Sequence, residues 1–271
     1  MKGDSLVERL VYRLIKKHIA GTTMNSVIDK VQEFNKEKIP ASILFLSGTA
    51  DSKSKARYAT TTYLELIRRI SRLGLKASVH IPMEQIGSAI DHELSYNNML
   101  EIINAGNKYG VFVWAEMNGN PLEAGITERL RHSKGFGVAA PHDKISEIVR
   151  KIKPKAAKII FDGKSENTNP AKLLSEAELV ARSTNTAVLS FLPDKVLGSV
   201  MNSKYKKSVI IEFGMGTSRS KIKKVISKGG RASVSVPFGK DWTSYAMEIV
   251  PEGKTHFIVS RLINEERMGA V

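Results

Sequence analysis

The sequence predicts a single (β/α)8 TIM barrel spanning residues 1–271, with extra N-terminal helices within residues 1–38. Three observations predict it. The chain has 271 residues, close to the roughly 250 that one such barrel requires. It holds eight short apolar runs rich in β-branched residues, each separated from the next by a stretch of helical periodicity. No Pro/Ser/Gly-rich linker or low-complexity segment interrupts that alternation, so no domain boundary is expected.

The runs are 42–46, 77–81, 111–115, 136–140, 157–161, 187–191, 208–213 and 232–236. Near-continuous apolar strands of this kind belong to a parallel sheet buried on both faces, and eight repeats of strand and helix close a barrel. Helical patterns at 56–73 and 171–182 fill two of the intervals. A further helix over 24–36 precedes the first strand, with Thr22 or Thr23 as its N-cap. The stretch SVSVPFGK reads as a buried strand ending in a turn at Pro237. An open doubly wound sheet is the other architecture compatible with the alternation.

Composition narrows the function. With 42 Lys+Arg against 27 Asp+Glu the formal net charge is +15, which favours polyanionic partners such as nucleic acid or acidic lipid headgroups. The chain has no cysteine, which excludes disulfides, thiolate metal sites and cysteine nucleophiles. Asp4 and Glu8 break up the N-terminal segment, so neither a signal peptide nor a membrane span is expected, and the location expected is the cytoplasm. Leu6, Leu10, Leu14 and Ile15 repeat at helical spacing beside Arg9, Arg13, Lys16 and Lys17. This basic amphipathic helix leaves peripheral membrane contact open.

In such a barrel the chemistry sits where strands end and the following loops begin. That rule selects His80 and Glu84, Glu116 and Asn118, Asp162 and Lys164, Asp194, Glu212, and the group Lys240, Asp241, Trp242 and Tyr245. His80 suits acid/base work or ligand orientation, and Glu116 with Glu212 would form a pair of carboxylates at the mouth. No set of carboxylates and histidines at ligand spacing predicts a metal. The loop Gly214-Met-Gly216-Thr-Ser-Arg219-Ser, placed before a helix, is a candidate phosphate cradle. Basic residues gather at Arg219, Lys221, Lys223, Lys224 and Lys228, and few aromatics interleave with them, so backbone contact rather than base stacking would be their use.

Once the eighth run is reached, VPFGKDWTSYAM resembles the C-terminal end of the proline dehydrogenase family, FAD-dependent (β/α)8 enzymes. HIAGTTMNSVIDKVQEFNKEKIPASILFLSG, LKASVHIPMEQIG, VFVWAEM and IIEFGMG resemble its lead-in with the first strand, and its second, third and seventh strands. The resemblance implies FAD across the mouth, with Lys158, Asp162, Lys164, Glu212, Gly214 and Gly216 on the cofactor side and His80, Glu116 and Tyr245 around a proline-like substrate. The family's Tyr-x-x-Arg-Arg, whose arginine pair clamps the substrate carboxylate, appears here as Tyr245 followed by Glu248 and Ile249. Its strand-six Ala-Thr-His falls in Ser190-Phe-Leu-Pro193, without a histidine. The function implied is an FAD-dependent oxidoreductase acting on proline or, given the lost clamp, a related amine. The alternative is a non-catalytic barrel that binds nucleic acid or a ribonucleoprotein through its basic surface.

Overall fold

A computed structural model describes residues 15–118, 121–130, 133–161, 169–243 and 245. Its elements run α1 (Met24–Lys36), β1 (Ala41–Leu46), α2 (Lys53–Arg72), β2 (Ala77–Pro82), a 3-10 turn (Met83–Ile86), α3 (His92–Tyr109), β3 (Val113–Glu116) and α4 (Pro121–Leu130). They continue with β4 (Phe136–Pro141), α5 (His142–Ile152), β5 (Ala156–Ile160), α6 (Pro170–Ser183), β6 (Thr186–Ser190), α7 (Asp194–Asn202), β7 (Val209–Gly214), α8 (Arg219–Ser227) and β8 (Arg231–Gly239). The strands pair in sequence order, all parallel, and β8 returns to β1, so the sheet closes as a barrel.

All eight expected runs become strands. The eighth differs: β8 runs on through Pro237 to Gly239, where the sequence suggested a turn. Proline is tolerated because it extends the pairing with β1, opposite Leu44, and contributes its carbonyl to the Ala20 amide. Gly239 closes the strand with φ 142°, and a Cβ there would run into the Leu46 carbonyl oxygen.

Strand side chains alternate between two interiors. Outward positions such as Ile43, Val79, Val113, Val138, Ile159, Leu189, Ile211 and Val236 are buried in the apolar core shared with the helices. The inward set differs. A small apolar group of Trp114, Ala156 and Val188, with Phe112 and Ile210 packed against it, lies toward the strand starts, and Ser42, His80, Lys158, Ser190, Glu212 and Ser235 are buried polar residues.

Helix α1 begins as expected, with Thr23 as N-cap in a reciprocal capping arrangement with Ser26. Its flanks locate it: Asn25 accepts from Arg69 of α2, and Glu37, just past its end, pairs with Arg219 and Lys223 of α8. Phe34 lies under the Arg219 guanidinium at 3.5 Å. α1 therefore fills the slot between α8 and α2, over the β8–β1 seam. Among the described residues no helix is long and apolar enough to cross a membrane. The basic amphipathic pattern begins at Leu6, outside the described residues.

Candidate functional site

The barrel's centre is ionic. Lys158, on β5, is 0 % exposed, and its ammonium donates to both oxygens of Glu212 at 3.0 Å and to Ser42 Oγ at 3.0 Å. It lies 3.3 Å from His80 Nδ1 and 5.0 Å from the centre of the Trp114 ring. Glu212 is 2 % exposed and also accepts from Ser190 Oγ at 2.8 Å. An ammonium carries only donors, so His80 Nδ1 must be the acceptor, which places the ring proton of the neutral imidazole on Nε2. That nitrogen faces Glu116 Oε2 at 2.7 Å. The contact is oblique, an ion-pair distance without an aligned hydrogen bond.

Around this centre the backbone is pinned. The Tyr63 hydroxyl lies 3.0 Å from the His80 carbonyl oxygen and 2.9 Å from Gln85 Oε1, while Gln85 Nε2 donates to the Phe45 carbonyl at 2.8 Å. The 3-10 turn after β2 is thereby tied to β1, and it presents Glu84 beside Glu116. Burial first, and then the nearby Glu116 carboxylate, push Glu84 above its ordinary carboxylate value, opposed by a hydrogen bond from Asn118. Burial is also the largest influence on Lys158 and lowers its amine, while Glu212 and, more weakly, Glu116 act to raise it.

The structure thus brings His80, Glu116, Lys158 and Glu212 into one contact chain, with Glu84 and Asn118 at its edge. Lys158 and Glu212 bind each other beneath the mouth instead of reaching into it. Tyr245 is buried; Asp162, Lys164, Glu248 and Ile249 lie outside the described residues. Asp194 pairs with Lys221 across α7 and α8. Lys240 and Asp241 line a separate cavity of about 240 Å3 at the end of β1, with Ser47, Gly48 and Lys55.

The glycine loop after β7 is not an open cradle. A side chain at Gly216 would collide with the His18 imidazole, so the missing Cβ makes room for a residue of the same chain. Its amides are engaged locally, Thr217 to the Gly214 carbonyl and Lys221 to Ser218 Oγ. The basic group is similarly committed in part: Arg219 and Lys223 bind Glu37, and Lys221 binds Asp194, while Lys224 and Lys228 are exposed. Among the described residues no group of three or more His, Asp or Glu is arranged to hold a metal ion.

Sequence reasoning missed Ser42, Ser190 and Trp114, which complete the environment of Lys158 and Glu212. The signal was present as serines within apolar runs, singly at Ser42 and Ser190 and alternating at Ser233 and Ser235. It also missed Phe191, which follows β6 with a left-handed backbone at φ 57°. The residue is 36 % exposed and its ring lies against Gly214. Strained, partly exposed aromatics of this kind collect where a protein meets a ligand.

A flavin needs a flat face for its ring and donors for its diphosphate. The Phe191 ring, beside the side-chain-free Gly214 and above the Glu212 layer, fits the first need. Gly216, Arg219, Lys221 and Lys223 are taken up by partners in the chain, so the second is not met by them.

The fold and site define a closed (β/α)8 barrel with an ionic centre beneath a polar C-terminal mouth. No protein-family model matches the chain. It is 23% identical to a proline dehydrogenase of Deinococcus radiodurans in an alignment 277 positions long, covering 92% of this chain and 89% of that protein. It is also 23% identical to proline dehydrogenase 2 of Bacillus subtilis, covering 87% of this chain and 85% of that protein. Among solved structures, proline utilization A (PutA) from Bdellovibrio bacteriovorus, inactivated by N-propargylglycine, superposes with a TM-score of 0.72 at 16% identity over 95% of this chain. The PutA of Bradyrhizobium japonicum gives 0.64 at 11% identity. The chain spans about a third of the length of these PutA chains. The chain is thus similar to proline dehydrogenases over about nine-tenths of its length and shares the barrel fold of the PutA structures.

Proposed function

We propose that the chain is a proline dehydrogenase-like oxidoreductase that works on a small amine at the C-terminal mouth of the barrel. The observation that carries this reading is the likeness to proteins named proline dehydrogenase over about nine-tenths of this chain. The ionic centre supports it, since His80 and Glu116 meet where their strands end at the mouth. A bound flavin would supply the hydride acceptor. Phe191 and Gly214 would carry its ring, while Glu84 and Glu116 present negative charge to a protonated amine.

Proline or a related amine is the substrate class. Glu248 and Ile249 replace the arginine pair that would hold a carboxylate. A charge-assisted hydrogen bond contributes about 1.5–3 kcal/mol, so losing two weakens carboxylate recognition by several orders of magnitude. An amine without a carboxylate, such as pyrrolidine, is therefore favoured over proline.

The test is an absorbance spectrum after incubation with FAD and desalting, followed by anaerobic addition of proline or pyrrolidine. Retained flavin that pyrrolidine bleaches faster than proline is the expected result. A protein that keeps no flavin, or flavin that neither compound bleaches, overturns the reading.

A further inference from the structure

Charge inside a barrel calls for a reason, because replacing a buried ion pair with apolar side chains of similar volume often leaves a fold equally or more stable. Below the Lys158–Glu212 pair lies a cavity of about 250 Å3, whose lining includes Ser42, Ser78, Trp114, Thr186, Glu212 and Ser233. The inward residues of its outermost layer, Ser78, Phe112, Thr186 and Ile210, are all partly exposed. Solvent therefore reaches it from the end where the strands start. At about 30 Å3 per water the space holds several molecules, and the hydroxyls of its serines and threonine give them partners.

The cavity and the ionic centre share two residues. Ser42 and Glu212 line the cavity and also accept from the Lys158 ammonium. At the other end His80 has one nitrogen toward Lys158 and one toward Glu116, whose side chain is 19% exposed. Polar groups thus run unbroken from the mouth to the N-terminal face, through a barrel whose outer core is apolar.

We propose that Glu116, His80, Lys158 and Glu212 form a charge-coupled proton relay through the barrel. A proton taken up by Glu116 at the mouth is matched by one that leaves Lys158, by way of Glu212, for water in the lower cavity. One carboxylate gains a proton and one ammonium loses one, so the charge of the cluster is conserved. The neutral Lys158 amine accepts a hydrogen bond where the ammonium donated one, which favours the His80 tautomer with its proton on Nδ1; the cluster resets when Nδ1 gives that proton to the amine and Nε2 takes the one on Glu116. His80 suits that step because it can accept at one ring nitrogen and give from the other. The groups facing Lys158 are Glu212 from β7, His80 from β2, Glu116 and the Trp114 ring from β3, and the Ser42 hydroxyl from β1; Glu84 in turn faces Glu116. Glu116 is among the charges that hold Lys158 protonated, so neutralising it loosens the Lys158 proton.

This inference rests on the proposed amine oxidation only for the source of the proton. Its test needs neither flavin nor amine, so the two readings fail separately. Heteronuclear NMR of lysine-labelled protein follows the Lys158 side chain. In Glu116→Gln, which mimics the protonated carboxyl, Lys158 should bind its proton about tenfold more weakly. Thr186→Leu, which fills the lower cavity, should slow exchange of the Lys158 ammonium protons with water roughly tenfold, and Lys55→Gln, at the mouth in the separate cavity by β1, should leave that exchange unchanged. Ser78→Leu serves in place of Thr186→Leu if the latter does not fold. Unchanged proton affinity in Glu116→Gln, or exchange that responds to the mouth variant and not to the filled cavity, overturns the relay.

Discussion

Removing the Lys158 charge with Lys158→Met keeps most of the side-chain volume and strands Glu212 at 2 % exposure, leaving it one neutral donor, the Ser190 hydroxyl. Breaking a buried pair from one side costs about 3–5 kcal/mol, because the surviving charge stays desolvated. For a chain of 271 residues, with an unfolding entropy near 2.1 cal/mol/K per residue, about 4 kcal/mol lowers Tm by roughly 7 °C. Glu212→Gln should cost a similar amount, since it leaves an ammonium without its carboxylate. The double variant, with neither charge, should recover at least about 2 kcal/mol relative to the sum of the singles. Denaturant unfolding followed by circular dichroism measures all three.

The same pair gives a pH signature. Burial holds the Lys158 amine below its ordinary value of 10.5 in the folded chain. Between the lowered value and 10.5 the unfolded chain therefore binds the extra proton, and through this group stability rises with pH. The stability gap between wild type and Lys158→Met should widen as pH is raised through that window. Additive single variants, or a gap that narrows with rising pH, would refute the view that burial dominates at Lys158.

Three further outcomes follow from the fold. Gly239→Ala sets a methyl against the Leu46 carbonyl at a backbone angle of φ 142°; a loss of at least about 3 kcal/mol is expected, read as a fall in Tm or in soluble yield. Thr23→Ala removes the capping oxygen of α1 and should cost about 1 kcal/mol, seen as a small shift in denaturant midpoint with unchanged slope. Glu37→Gln takes away the shared partner of Arg219 and Lys223. Because exposed pairs are weak, stability should move by less than about 1 kcal/mol, whereas heparin retention at low salt should rise as the two cations are freed.

The strands were legible because each is a run of β-branched residues, and a parallel sheet clad in helices writes both of its faces in apolar letters. Val79, Val113, Ile159 and Ile211 carry that signal plainly. What the sequence obscured is the difference between the two interiors. Lys158 entered only through the family resemblance, as a cofactor-side residue; it stands mid-strand with Ile159 and Ile160 beyond it, and only the closed barrel reveals that its ammonium meets residues from four other strands. Glu212 had the opposite difficulty. The sequence placed it at the mouth, and the register puts Phe213 and Gly214 above it. The glycine loop misled for a third reason, since small residues before a helix look alike whether they admit a phosphate or, as at Gly216, an imidazole from the same chain.

The seat of α1 has a consequence for how the chain is built. The helix is synthesised ahead of every strand, yet its resting place is the seam between the first strand and the last, so it must wait through some two hundred residues of synthesis before its dock exists. Contacts of such long sequence separation form slowly. Until β8 arrives, Val27, Val31 and Phe34, all buried in the finished barrel, have only part of their cover, since α1 packs on β8 as well as on β1. The last strand is thus also the lid on α1, and the strand that closes the circle is the one that completes the helix's seat.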